Sequence, residues 1–199
     1  MTQNREEKKQ QLKLNLLEAA HKEIGENGVQ GLTARKVTTL ANCSLGSLYT
    51  SYDNIDNLII HVNASTLEKL GKQLLASIEG KTKAEDILHC LAQSYIAFAK
   101  DNYEHWNAVF EFARLSSFEA PQWYLEKLSM LTGLIAEPVH ALSPHMSEEE
   151  AANKAKTLFA AVHGIVAFSL QGRFIGLDKE YLENEITSFV NQLINGLEA

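Results

Sequence analysis

Three groupings in this 199-residue chain have residue types that could do covalent or metal chemistry. Glu137-Pro138-Val139-His140 has the Glu-x-x-His spacing of a carboxylate-bridged di-iron bundle. That centre needs the motif on two helices and a further carboxylate from each of two others. Here it occurs once, and Pro138 is expected to break the helix that would align it. His163, next to Gly164 in an apolar run, suits a hydrogen-bonding role in a core or pocket better than that of a base. Cys90 follows His89, and neighbouring positions on a helix face different ways. Cys43 and Cys90 fall in unrelated elements, which argues for two packed thiols and against a disulfide framework or metal knuckle. The chain has no phosphate-cradling Gly-rich loop and no His-Glu-x-x-His helix. Catalysis, a cofactor and a bound metal are therefore not expected.

Recognition chemistry is concentrated in one stretch, GLTARKVTTLANCSLGSLYTSY, residues 31–52. Thr33 precedes a helix-forming run and suits an N-cap. A first helix is expected over Ala34–Leu40, with Val37, Leu40 and Ala41 as its apolar face. Ala41, Asn42 and Cys43 make a turn in which Asn tolerates a left-handed backbone. Ser44 caps a second helix that runs to about Tyr49. Two short crossed helices with a tight turn form a helix-turn-helix, whose second helix can enter a DNA major groove. Ser44, Leu45, Gly46 and Ser47 lie in the turn that meets base edges. Gly46 leaves room for DNA, Ser47 can hydrogen-bond a base or phosphate, and Leu45 can meet a thymine methyl. Arg35 and Lys36 are placed to touch the phosphate backbone. The hydroxyls of Tyr49 and Tyr52 are expected to reach phosphates while their rings pack. Thr33 and Thr50 complete the candidate DNA-contacting set.

This segment resembles the DNA-binding domain of the TetR family of one-component transcriptional regulators. The residues that carry the resemblance are Gly28-Val29-x-Gly31-Leu32-Thr33, Ala41, Gly46-Ser47-Leu48-Tyr49 and Tyr52, with Leu58 after them. It covers about residues 10–70 and is architectural beyond. A looser resemblance, seen in His163-Gly164, links the run LFAAVHGIVAFSLQGRF to a C-terminal regulatory domain of the same family. Two departures stand out. Ile55 occupies the position of a family Lys that contacts phosphate, between Asp53 and Asp56, and Asn42 replaces the turn Gly. The resemblance implies a homodimeric repressor that binds a double-stranded DNA operator and is released by a small, mainly apolar effector. A helical ligand-binding or interaction protein without operator binding is the alternative that Ile55 supports.

The elements needed to position these residues can be read from composition and periodicity. Good helix formers dominate, Pro occurs three times, and no alternating strand-like run is present, so the fold class is expected to be all-α. No apolar run reaches membrane-spanning length and no signal-peptide core opens the chain, which places the protein in the cytoplasm with no membrane partner. The net charge is −7, yet residues 1–62 carry seven Lys or Arg and seven Asp or Glu. The deficit lies entirely in residues 63–199, and a neutral, locally basic head is compatible with DNA.

Residues 1–62 are accordingly read as a three-helix DNA-binding domain, with the helix-turn-helix at 33–52. Residues 63–199 are read as a regulatory, ligand-binding and dimerisation domain. The first helix of the chain, over 6–27, carries the stripe Leu12, Leu16, Leu17, Ala20 and Ile24, with Lys8, Lys9, Lys13 and Lys22 opposite and Gly28 as its cap. A connecting helix is expected over 55–78, ended by Gly80. Further helices are expected over 84–100, 103–115, from 121 to about 136, from Ser147 to about Gly172, and from Asp178. Ser147 should cap its helix, and the acids 148–150 should meet the positive end. Pro138 and Pro144 are read as bracketing a loop that holds His140 and His145.

Nine of sixteen aromatic residues fall between 95 and 124, Phe118 among them. Most should be core. Tyr95, Phe98, Trp106, Phe110, Trp123 and His163 are the candidates for lining an effector pocket. For the dimer interface the candidates are Leu158, Val162, Val166 and Leu170 on one helix and Ile186, Phe189 and Leu193 on the last, pairing as a four-helix bundle.

Overall fold

A computed structural model of the chain describes residues 2–115, 119–172, 176–178 and 180–198. Phe118, Ser116 and Ser117 lie outside the described residues. Among those described, every regular element is an α-helix. They are α1 (Thr2–Gly31), α2 (Ala34–Leu40), α3 (Leu45–Tyr52), α4 (Ile55–Ile78), α5 (Ala84–Asp101), α6 (Tyr103–Leu115), α7 (Gln122–Leu142), α8 (Glu148–Leu170) and α9 (Leu182–Glu198). The all-α class expected from composition is what is found.

Local signals explain most boundaries. Gly28, at φ 69°, interrupts regular helix near the end of α1. Thr33 caps α2 and Ser44 caps α3, each accepting from a backbone N–H three residues on. Asn42 takes φ 50°, the left-handed turn position for which Asn is suited. Gly80, at φ 73°, follows α4. Ser147 and Glu150 form a reciprocal capping box at the start of α8.

Four expectations need correction. α3 continues to Tyr52, one helical turn beyond Tyr49. Leu40 is 46% exposed and is not part of the apolar face of α2, which buries Val37 and Thr38. α7 runs straight through Pro138, so His140 belongs to a helix and not to a loop. The tertiary setting compensates there for the one lost backbone donor, since Val139 beside it is wholly buried. Asp178 begins a turn, accepting from Tyr181 and Leu182 N–H, and α9 itself starts at Leu182.

Contacts gather into two compact units, Met1–Leu67 with Asn102–Tyr124, and Glu68–Asp101 with Leu125–Ala199. The first joins α6, from far along the sequence, to α1–α3 and the first half of α4. Leu16, Ala20, Ile24, Val37, Leu48, Leu58 and Val62 form its centre, with Ala108 and Phe112 from α6 against them. His105 stacks on His21 at a centroid distance of 3.9 Å, and its Nε2 lies 3.0 Å from the His21 carbonyl. Gln30 donates to Glu111 along the same seam.

In the second unit α5 packs on α9 and α8, and α8 on α9. The stripe of α9 buries Leu182, Ile186, Val190, Ile194 and Leu197, while α5 buries Leu88, Leu91, Tyr95 and Phe98. Gln93 donates to Thr187 Oγ1 at 2.7 Å, and Lys100 pairs with Glu183 at 2.6 Å, both between α5 and α9.

Candidate nucleic-acid interface

Helical spacing divides α3 into two faces. Leu48 and Tyr52, four apart, point into the core at 0% and 2% exposure. Leu45, Gly46, Tyr49 and Thr50 point outward, and Leu45 and Tyr49 keep 42% and 46% of their surface in water. Leu45 and Tyr49, four residues apart, thus leave a small apolar surface on the outward side of α3. Gly46 is not required by its own fold. Its backbone is ordinary helix, and an added Cβ would meet only Ser44 Oγ, at 3.8 Å. The space beside it is open to an approaching partner.

The hydroxyls are already engaged at the helix ends. Thr33 Oγ1 accepts from Lys36 N–H at 3.3 Å, and Ser44 Oγ accepts from Ser47 N–H at 3.2 Å. The Ser44 and Ser47 hydroxyls lie 2.8 Å apart, and Thr50 donates to the Gly46 carbonyl at 2.8 Å. A hydroxyl has a second lone pair, so these bonds orient the groups without using them up. Arg35 is exposed at the first turn of α2.

Two of the candidates named from residue type and spacing sit differently from expectation, because each is held by a distant neighbour. Tyr52 donates its hydroxyl to the Lys13 carbonyl at 2.9 Å, and Lys13 Nζ stands 5.0 Å from the centre of its ring. Burial pushes the Tyr52 phenol up to about 12. Its hydroxyl therefore ties α3 to α1 and does not reach outward. Lys36 closes on the Glu23 carboxylate at 2.7 Å and on the Gly31 carbonyl at 2.9 Å. Glu23 and its partner Asn27 were not singled out from the sequence, because a Glu thirteen residues from its Lys leaves no local signal.

Ile55 is partly buried and packs against the first unit's core. An apolar residue there serves the fold, which accounts physically for its departure from a phosphate-contacting Lys. Cys43 packs against the same core, and desolvation raises its thiol, opposite to what a reactive thiolate needs. Among the described residues no group of three or more His, Cys, Asp or Glu is placed to hold a metal.

The effector candidates divide between the two units. In the first, Trp106 is 2% exposed between Tyr103 and Phe110, with ring centroids at 6.1 and 5.6 Å, while Trp123 is 37% exposed beside His61. In the second, Phe98 is fully buried, and Tyr95, Phe159 and His163 form one cluster. The Tyr95 hydroxyl lies 2.7 Å from His163 Nδ1, and the Phe159 and His163 rings stack at 5.8 Å. Desolvation lowers His163 to about 4, so its imidazole is neutral at pH 7. A surface groove of about 490 Å³ lies elsewhere, lined by His145, Met146, Glu150, Asn153, Lys154 and Thr157. It involves none of the candidate rings.

Of the dimer candidates, Leu158, Val162, Val166 and Ile186 are 9% exposed or less within the single chain. Within the single chain most of their surface is taken by its own core. Leu170, Phe189 and Leu193 are half-buried, and Phe168, which the sequence reading missed, is 45% exposed.

Residues 88–190 match the family described as "Tetracyclin repressor-like, C-terminal domain". No curated protein matches the chain significantly in sequence. Several solved structures share its fold. A protein of unknown function from Rhodococcus sp. RHA1 aligns over 94% of this chain and 96% of its own, with TM-score 0.75 and 20% identity. A TetR transcriptional regulator from the same organism covers 94% and 97%, with TM-score 0.63 and 14% identity. The transcriptional regulator FadR from Bacillus subtilis, solved with stearoyl-CoA, covers 94% and 97%, with TM-score 0.66 and 15% identity.

Proposed function

The chain belongs to the TetR family of DNA-binding transcriptional regulators, and from that premise we propose that it is a repressor, released from a near-palindromic operator by a small effector. The observation that carries this reading is the outward face of α3, where Leu45, Gly46, Tyr49 and Thr50 stand exposed on a helix capped by Ser44. Two such heads, brought together as a homodimer, would meet half-sites about 34–36 Å apart, or a multiple of that. The head is residues 1–62 and the regulatory region 63–199. Such a regulator works in the cytoplasm, and among the described residues no helix is long and apolar enough to cross a membrane.

The effector we infer is mainly apolar, fixed by few polar contacts. In the second unit, Tyr95, Phe159 and His163 offer that chemistry, with aromatic surface around one neutral imidazole and one phenol. Trp106, Phe110 and Trp123 belong to the first compact unit and are candidate effector contacts there. The fold is shared with a regulator solved with stearoyl-CoA, whose acyl chain, though not its charged CoA moiety, belongs to the apolar class.

The test is footprinting of the purified protein on the DNA upstream of its own gene, with Gly46→Glu as control. That substitution places bulk and negative charge on the outward face, where nothing of the chain itself is crowded. Protection by the unmodified protein, lost in the variant while helicity and oligomeric state persist, is the expected result. Equal protection by both would show that α3 is not the reader.

A further inference from the structure

We propose that Glu23, Asn27 and Lys36 form a charged pivot that sets the angle at which α2, and α3 with it, leaves the end of α1. Lys36 then serves operator binding as a positioning residue and not as a phosphate contact. The inference rests on the DNA-binding reading above and concerns how that site is held.

Glu23 is 5% exposed, and its Oε1 accepts from Lys36 Nζ at 2.7 Å and from Asn27 Nδ2 at 3.0 Å. A carboxylate so far from water must be paired and hydrogen-bonded, or it destabilises the fold. One partner comes from α1 and the other from α2, so the carboxylate joins the two helices. Lys36 Nζ also donates to the Gly31 carbonyl at 2.9 Å, just past the interruption at Gly28. Two of its three donors are thus taken by protein acceptors, although the Lys36 side chain itself stays half exposed beside the buried Glu23. Gly31 is needed by this arrangement, because a Cβ there would lie 2.7 Å from Asn27 Cβ. The backbone N–H of Lys36 meanwhile takes the Thr33 cap. One residue therefore fixes both the start of α2 and its attachment to α1. Buried Val37 and Thr38 seat the seven-residue α2 on the core, and the pivot adds a directional polar tie to α1 at its N-terminal end.

Two substitutions separate positioning from charge. A phosphate-contacting Lys36 would lose affinity for all sequences in K36M, with the salt slope falling by about one. Neutralising an acid near DNA, in E23Q, would then strengthen binding. The pivot predicts otherwise. Both K36M and E23Q should weaken binding to a duplex selected by the wild-type protein from a random library, by about tenfold, the scale of a broken paired contact. Both should leave the salt slope and the affinity for a scrambled duplex unchanged, and K36R should restore most of the loss.

Binding that is unchanged or tighter in E23Q, or a salt slope reduced in K36M, overturns the pivot. If the wild-type protein selects no duplex, the DNA-binding reading fails by itself. The pivot is then decided by urea unfolding of E23Q, K36M and the double variant. Non-additive losses support it, and additive losses overturn it.

Discussion

Single side chains in this protein have roles set by what they touch across helices. Tyr52 shows this most simply. Its hydroxyl reaches the Lys13 carbonyl, so Tyr52→Phe should lower stability by about 1 kcal/mol, the net worth of one such bond. Chemical unfolding measures that loss, and DNA affinity should not change. A clear fall in affinity with stability intact would return Tyr52 to the phosphate-contacting set. His163 makes a pH prediction. Burial depresses it from 6.5 to about 4, so the folded state binds its proton more weakly than the unfolded state does. Its neutral form then contributes stability that is complete above about pH 6.5 and is lost as pH falls toward 4. Unfolding midpoints should decline across that window, and His163→Gln should flatten the decline. An unaltered profile in the variant would assign the acid sensitivity to other groups.

Among the elements, the helix ends follow local chemistry closely. α8 opens with a capping box in which Ser147 and Glu150 satisfy each other's backbone donors. Those hydrogen bonds hold the Glu150 carboxyl below its usual range. Ser147→Ala should cost about 1 kcal/mol, typical of a lost N-cap, and the change is readable as a lower melting temperature. Ser147→Asp should recover most of it. Near the other end of this helix, Gly176 has a different role. An added Cβ would collide with the Phe168 carbonyl oxygen, so no side chain can be placed there without moving backbone.

For the molecule as a whole, the proposed dimer separates buried from available surface. Phe168 is 45% exposed on α8, and Gly164 and Gly196 have nothing within 4 Å of an added Cβ. Large exposed apolar groups and open glycines suit close approach by a second copy, whereas Val166, at 0% exposure, is committed to the chain's own core. Phe168→Glu should therefore yield a folded monomer in sedimentation. Val166→Glu should instead unfold the protein, because it buries an unpaired charge. A Phe168→Glu protein that remains dimeric would move the interface off this face.

How far the residue order could be read depends on the range of each interaction. Thr33, Ser44 and Ser147 as caps, Asn42 in a left-handed turn and the all-α class are encoded within a few residues, by spacing and side-chain type. The same holds for Leu45 and Gly46 in the exposed first turn of α3, whereas the Tyr49 ring, expected to pack, is 46% exposed. Pro138 misled because local propensity argued for a break, while burial of the surrounding helix outweighed one lost donor. Which polar groups were already taken emerged only once the helices were packed. Lys36 finds Glu23 thirteen residues away, Tyr52 finds Lys13 thirty-nine away, and α6 joins the unit of α1 across a still longer separation. Valine and leucine stripes on α8 and α9 likewise announce an apolar face without saying whether it meets the chain's own helices or another copy. Pairings of that kind depend on how helices pack in space, and no local spacing carries them.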